Sequence, residues 1–502
     1  MVILTALLGV MAVLSGCASS QDGRHDQPAA PPAASQPWNS SDYRESSSVS
    51  TTNADFAHQL GIPVVPDPDK TYDLVSLIAL AQEANPQTRI AWEQARAQAA
   101  QLGIADSDWY PALAFMVSGG YANEVDATPS GGLSTYGPSV LPELTLQWTL
   151  LDFGRRKAKI DSAVQTLLQS NFQFNRTHQQ VAYTVQTSYY TYDASCATVD
   201  AMLAALKSAQ AVEEAAQARL DSGLATQPDL LLARQDRVLA EYNLRSAQRS
   251  VTDAQSALAE AVGIAPTMPL KVAPMSTLPL PAELTNSVEH TIDRALASRP
   301  DLAAQLAALR ASEANVSKAK AAYLPEIGLS GSVGQSYSRF DAYTGGKTTG
   351  PFDYDDTIYG INLTLSWDIF DGFLRRNKLR EAQAQRSQTA AQLSALQLKA
   401  MREVWKSYVD VKTALVQYEA AQALLAASQD SYDANITKYE NGLGTLIDLL
   451  AAERELAHAR TSIVESRAEL LDAAAALAFA MGDSNAAQAK KTPVTGQTKN
   501  NP

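Results

Sequence analysis

The sequence predicts a mainly helical chain with a β-barrel part, built as two tandem repeats of helix, two strands, very long helix, turn and helix. Three observations predict it. A constant offset of 219 residues relates one half to the other. Four segments alternate apolar and polar residues. Two stretches of more than sixty residues contain neither Pro nor Gly.

The repeat comes first, because a fixed internal period constrains the whole architecture. Trp148 matches Trp367 and Asp152 matches Asp371. Gly223, Thr226 and Asp229 match Gly442, Thr445 and Asp448, and Leu258 and Gly263 match Leu477 and Gly482. Upstream, Pro86 precedes Pro111 by the same spacing that separates Pro300 from Pro325, and each pair brackets a helical segment. The first repeat spans 71–270 and the second 285–482. The stretch 264–284 carries Pro266, Pro269, Pro274, Pro279 and Pro281, and residues 271–284 read as the linker.

The strands follow from period two. Leu113, Phe115, Val117 and Tyr121 share one parity; Leu144, Leu146, Trp148 and Leu150 share another. Ile327, Leu329 and Val333 alternate with small or polar residues, as do Ile361, Leu363, Leu365 and Trp367. Strands of about ten residues with one apolar face suit a tilted membrane-spanning barrel strand. Aromatics such as Trp109, Tyr110, Tyr323 and Phe370 gather near them, as interfacial girdles do. Two ordinary hairpins with aromatic core residues would give the same pattern. The barrel reading carries a further requirement. Four strands cannot close a barrel, which needs about eight, and open edges in lipid leave backbone groups unpaired. Copies must therefore assemble; three copies give twelve strands.

The helices are read from Arg155 to Leu220 and from Leu374 to Glu440. Each would reach on the order of 100 Å at the helical rise per residue. Apolar residues recur at three and four, as in Val181, Val185 and Tyr189 or Leu393, Leu396, Ala400 and Val404, with alanines between. This is coiled-coil-like packing. A structural periplasmic coiled-coil lipoprotein would share it.

The N-terminus reads as an address. Residues 2–14 form an apolar run too short to span a bilayer and of the right length for a secretory signal. It ends in Leu14-Ser15-Gly16-Cys17, which resembles a bacterial lipobox, with residues 1–17 as signal and lipobox and Cys17 as the acylated residue. No Lys or Arg precedes the run, which points to a start upstream of Met1. Residues 18–70 read as a flexible tether and 483–502 as a disordered tail.

Other chemistry is not indicated. Net charge is −13, which speaks against nucleic acid as a partner. Cys17 and Cys196 make no disulfide framework. The five histidines lack metal-ligand spacing. Gly346-Lys347-Thr348 lacks the first glycine of a phosphate-binding loop, since position 341 is Asp341. No catalytic residue, cofactor or metal is expected, and the chain is not read as an enzyme.

Repeat, order and motifs together resemble the TolC-like outer-membrane efflux proteins, over about 71–482. The segments that carry the resemblance are Leu151-Asp152-Phe153-Gly154-Arg155-Arg156 and Phe370-Asp371-Gly372-Phe373-Leu374-Arg375-Arg376, at the strand-to-helix junctions. With them go Gly223-Leu224-Ala225-Thr226-Gln227-Pro228-Asp229-Leu230 and Gly442-Leu443-Gly444-Thr445-Leu446-Ile447-Asp448-Leu449, which resemble the periplasmic tip turns. The lipobox places the chain nearer the lipoprotein branch, and Ala18 after the cysteine implies sorting to the outer membrane.

The resemblance implies a homotrimer with a twelve-stranded outer-membrane barrel and a twelve-helix periplasmic barrel, anchored by lipid. It implies a passive exit duct for small toxic compounds. The partners would be a periplasmic adaptor protein and an inner-membrane pump of the resistance-nodulation-division class. An outer-membrane duct for type I protein or peptide secretion is the alternative within transport. At the tip, Asp448 matches a lumen-facing carboxylate and Ile447 an apolar gate position. Asp229 and Tyr439 match positions that hold the tip closed by hydrogen bonding. Gly223, Thr226, Gly442 and Thr445 match turns that dock the adaptor. Two positions depart from the family pattern: Ala451 replaces a frequent lumenal Asp, with Glu453 nearby, and Gly444 replaces an Arg of the closed-state lock. Asp229 and Asp448 are also what a helix N-terminus favours as capping or first-turn acids.

Overall fold

The computed structural model describes residues 31, 33–36, 38, 66–67, 69–128, 131–268, 270–274, 280, 287–344 and 347–483. The signal and lipobox with Cys17, most of the tether and of the linker, Gly346, and the tail after Asp483 lie outside the described residues.

In chain order the elements are β1 (Thr71–Tyr72), α1 (Leu74–Ala84), α2 (Pro86–Asp106), β2 (Ala112–Thr128), β3 (Gly131–Leu151), α3 (Arg155–Asp221), α4 (Gln227–Val262) and β4 (Lys271–Val272). There follow α5 (Val288–Ser298), α6 (Pro300–Ala321), β5 (Glu326–Thr344), β6 (Lys347–Ser366), α7 (Leu374–Glu440) and α8 (Leu446–Met481). The sequence marks these boundaries. Asp73 caps α1 by accepting from the Ser76 amide at 2.9 Å. Pro86 and Pro300 open α2 and α6, where a missing N–H costs nothing. The 67 residues of α3 and of α7 contain no helix breaker. Gly263 and Gly482, at φ 88° and 78°, end α4 and α8 in the left-handed region. A Cβ at Gly263 would stand 2.7 Å from the Asn85 Cα, so glycine there also permits a backbone approach.

The chain divides into two compact units: residues 97–169 with 305–392, and the remainder. The first of these holds an antiparallel four-stranded sheet in the order β2-β3-β5-β6. Its register places Leu113 opposite Leu146, Leu144 opposite Val333, and Val333 opposite Tyr359. The parities read from the sequence therefore line up across all four strands as one apolar face. Outer positions on that face are open, with Tyr359 and Ile361 80% and 81% exposed. The strands have 17 to 21 residues rather than about ten. Ladder hydrogen bonds need no side-chain alternation, so pairing continues through the small and polar positions beyond the apolar stretch.

At the two strand-to-helix junctions the backbone turns sharply. Phe153 and Gly154 have φ 51° and 96°, and Gly372 and Phe373 have φ 66° and 69°. An aspartate closes each junction: Asp152 accepts from the Arg156 amide at 2.6 Å and Asp371 from the Arg375 amide at 3.0 Å. Trp148 donates its indole N–H to the Trp109 carbonyl at 2.9 Å, and Trp367 donates to the Tyr323 carbonyl at 3.1 Å.

The other unit is helical, with the short parallel pair β1–β4. One core joins α1, α3 and α4 through Leu77, Val185, Leu258 and Val262. A second joins α5, α7 and α8 through Ala295, Val404 and Leu470. Arg299 is buried there and bonds Asp301 at 2.6 Å and Glu403 at 2.8 Å. Part of the tether is docked: Trp38, 6% exposed, exchanges backbone hydrogen bonds with the Asn175 side chain at 2.6 and 2.7 Å. Composition alone reads that stretch as a tether, because a single tryptophan anchor leaves no periodic signal. Among the described residues no helix is long and apolar enough to cross a membrane.

Candidate functional site

Four helix ends meet at one place. The last turns of α3 and α7 and the first turns of α4 and α8 share a core of Val212, Ala216, Leu230, Ala233, Tyr432, Tyr439, Leu449 and Leu456. Leu230 and Leu449, related by the 219-residue offset, are both buried.

Each long helix ends in the same way. Gly223 donates to the Leu220 carbonyl at 2.9 Å and Leu224 to the Arg219 carbonyl at 2.8 Å. Gly442 donates to Tyr439 at 3.0 Å and Leu443 to Lys438 at 2.8 Å. These crossed bonds are the Schellman arrangement, which needs a left-handed residue at the glycine; φ is 72° at Gly223 and 75° at Gly442. The next helix then starts with a capped threonine. Thr226 and Asp229 form a reciprocal capping box, the Asp229 carboxylate accepting from the Thr226 amide at 2.9 Å and its hydroxyl at 2.7 Å. The Thr445 hydroxyl accepts from the Asp448 amide at 3.2 Å and donates to the Asp448 carboxylate at 2.6 Å.

The candidate gate residues fall in distinct places. Ile447 is 71% exposed and Leu443 82%, so the second turn presents apolar side chains outward. Asp448 is exposed and Asp229 half-buried, and each is engaged by its own threonine. The Thr226 hydrogen bonds hold the Asp229 carboxyl below the ordinary aspartate value. Tyr439 is buried and its hydroxyl has no hydrogen-bond partner among the described residues. Burial raises its pKa, and Arg219 opposes the rise.

A contact that joins the ends of the two long helices is not legible in the sequence. Arg219, the basic residue in the last turn of α3, donates through Nη1 to the Tyr439 carbonyl, and its guanidinium lies 4.8 Å from the Tyr439 ring centroid. The one signal for it is its charge, since a cation near a helix C-terminus suits the macrodipole. Gly444 packs tightly: a Cβ there would lie 3.2 Å from the Lys438 Cβ and 3.3 Å from the Tyr439 amide nitrogen. Glu453 is also buried, at 4% exposure, beside Asp236, which accepts from Arg454 at 2.8 and 3.1 Å. Among the described residues no cluster of His, Cys, Asp and Glu could hold a metal ion.

Comparison with known proteins gives a consistent result. The family model described as "Outer membrane efflux protein" matches residues 77–264 and 291–483. Protein CyaE of Bordetella pertussis is 27% identical over 425 residues, 84% of this chain and 86% of that protein. Outer membrane protein OprJ of Pseudomonas aeruginosa is 29% identical over 174 residues, 35% of each. Among solved structures, the outer-membrane channel OprN superposes with a TM-score of 0.71 at 20% identity, covering 82% of this chain and 90% of that one.

Proposed function

The chain belongs to the outer membrane efflux protein family, and from that premise we propose that it is one subunit of a trimeric, lipid-anchored exit duct for small toxic compounds. The observation that carries this reading is the open sheet. Four strands present a continuous apolar face with Ile361 and Tyr359 uncovered, while β2 and β6 each leave one edge unpaired among the described residues. An exposed apolar face is unfavourable in water, and open strand edges are unfavourable in water and in lipid alike. Three copies joined edge to edge would satisfy both, closing twelve strands into a barrel with its apolar face toward lipid.

In the proposed assembly the 67-residue helices α3 and α7 extend the duct into the periplasm, and the four-helix meeting point is its entrance. Exposed apolar residues on α7, among them Leu398, Trp405 and Val416, become contacts between subunits. The glycine turns at Gly223 and Gly442, with Thr226 and Thr445, are the surface offered to a periplasmic adaptor. Acylated Cys17 anchors the chain. The pump is an inner-membrane protein of the resistance-nodulation-division class, and it supplies the energy, so the duct performs no chemistry. The matching lengths of α3 and α7, 67 residues each, and of α4 and α8, 36 residues each, support reading the two halves as one repeated unit.

Crosslinking in the native host, followed by identification of the captured proteins, tests the reading. Detergent-resistant trimers from the outer membrane, bound to an adaptor and a proton-driven pump, are expected. A monomer released on removal of the lipid would overturn the duct. An ATP-driven exporter as the captured partner would replace small-molecule efflux with protein or peptide secretion.

A further inference from the structure

On α8, between the core residues Leu449 and Leu456, Glu453 points into the bundle rather than into solvent. It is 4% exposed, and its Oε2 has no hydrogen-bond partner among the described residues. It lines a cavity of about 250 Å³ between α3, α4 and α8. A buried carboxylate without partners is costly, whereas a neutral carboxyl is tolerated.

The surroundings decide which form is held. From α4, Asp236 faces the same cavity and is itself 7% exposed. From α8 come Arg454 and His458. Arg454 bonds one oxygen of Asp236 through two of its nitrogens, so the nearest cation is already engaged. From α7, Tyr432 stands close enough to feel the Glu453 charge. From α3 the cavity takes the apolar Met202 and Ala205. Burial first, and Asp236 second, push the Glu453 carboxyl up to about 7, with Arg454 opposing. The position 219 residues earlier is Arg234, which is on the surface and pairs with Glu213 at 3.0 Å. A buried acid at this position of the repeat is therefore found in the second half and not in the first, and the repeat does not require it.

We propose that Glu453 is a proton-binding site of the helical tip: its neutral carboxyl is the form that the closed packing of α4 against α8 accepts, and its ionisation loosens that packing. The direction follows from linkage. A carboxyl freed into water loses its proton near 4.5, whereas the packed one keeps it to about 7. Between those values the closed tip binds the extra proton. Acid therefore favours the closed tip, the penalty grows as pH rises through this window, and it is complete above it. Full release of the side chain to water would bias opening on the order of a hundredfold. That the loosened tip admits cargo rests on the duct reading; the proton site itself does not.

Hydrogen–deuterium exchange of the full-length purified protein tests the site, with rates corrected for intrinsic pH dependence. Protection of residues 205–240 and 430–460 is expected to fall about tenfold or more between roughly pH 5 and 8 in the parent protein. Glu453→Gln, a neutral isostere, is expected to hold high protection throughout. Asp236→Asn is expected to keep the transition but move its midpoint to lower pH. Equal pH dependence in Glu453→Gln, or none in the parent, overturns the proposal. Should Glu453→Gln fail to fold, the Asp236→Asn midpoint decides, and an unmoved midpoint is the overturning result. Planar-bilayer recordings across the same range separate the two readings. Absence of any conductance removes the duct and leaves the protection profile to judge the proton site.

Discussion

Arg219 donates to the backbone carbonyl of Tyr439 and lays its guanidinium 4.8 Å from that residue's ring. The last turn of one 67-residue helix is thereby fastened to the last turn of the other. Two breaks in the sequence, 219 residues apart in register, become one structural joint.

Arg219→Ala is expected to loosen this joint by about 1–2 kcal/mol, the worth of a charge-assisted hydrogen bond with a cation–π contact. Limited proteolysis at 222–226 and 441–445 should quicken. Arg219→Lys should recover only part of the protection, because an ammonium cannot stack and donate as a planar fork. Identical proteolysis in Arg219→Ala and the parent would remove the joint from the account.

Gly442 and Gly444 should respond differently to the same substitutions. Gly442→Ala forces a Cβ into the left-handed region, at about 1–2 kcal/mol, and Gly442→Asn should recover much of that. Gly444 lacks a positive φ and is limited by space against Lys438 and Tyr439. Gly444→Asn should therefore be no better than Gly444→Ala. Thermal unfolding of the purified protein measures both; a rescue by Asn at 444 would contradict the steric explanation.

Asp229 links the tip to acid. Its carboxyl is held below the ordinary aspartate value by Thr226, so its capping contribution is present above that ordinary value. The contribution is lost as pH falls through the lowered value. Asp229→Ala should cost about 1 kcal/mol at neutral pH. The gap between variant and parent should narrow under acid, and a gap that stays constant down to about pH 2 would exclude the linkage.

Asp448 has a capping bond with Thr445 and an exposed carboxylate. If three copies bring it to a common axis, Asp448→Ala lowers cation selectivity in planar bilayers as well as removing the cap. Unchanged selectivity and conductance would leave the cap as its whole role.

Arg299 has its side chain 1% exposed, with Asp301 and Glu403 as partners. Among the described residues, its removal leaves Asp301 with only the longer ion pair to Arg176, at 3.9 Å, and Glu403 with only that to Lys399, at 3.8 Å. Arg299→Ala should cost about 3–5 kcal/mol in denaturant unfolding. A loss of under about 1 kcal/mol would mean that water replaces the pair.

Much of this was legible beforehand, for reasons that can be named. Period two in Leu144, Leu146 and Trp148 fixes a strand and its apolar face without reference to any partner. The absence of Pro and Gly from 155–221 fixes a long helix. The spacing of Gly223, Thr226 and Asp229 fixes a turn and a cap, because both are local hydrogen-bond patterns. For Asp229 and Asp448 the sequence supports two readings, gate or cap; each bonds its own threonine, an arrangement compatible with both.

By itself, then, the sequence determined element type, the ends of the helices, the repeated order and the family, whereas the strands extend beyond their apolar stretches because ladder pairing does not depend on side-chain alternation. Tertiary structure decided which distant groups share a low-dielectric interior. Only packing shows that Arg219 reaches Tyr439, that Trp38 docks on Asn175, and that Glu453 is enclosed beside Asp236 while Arg234, its counterpart in the repeat, lies in solvent. Such outcomes depend on which side of a helix is covered, and in a long alanine-rich helix the pattern of hydrophobicity is too even to say.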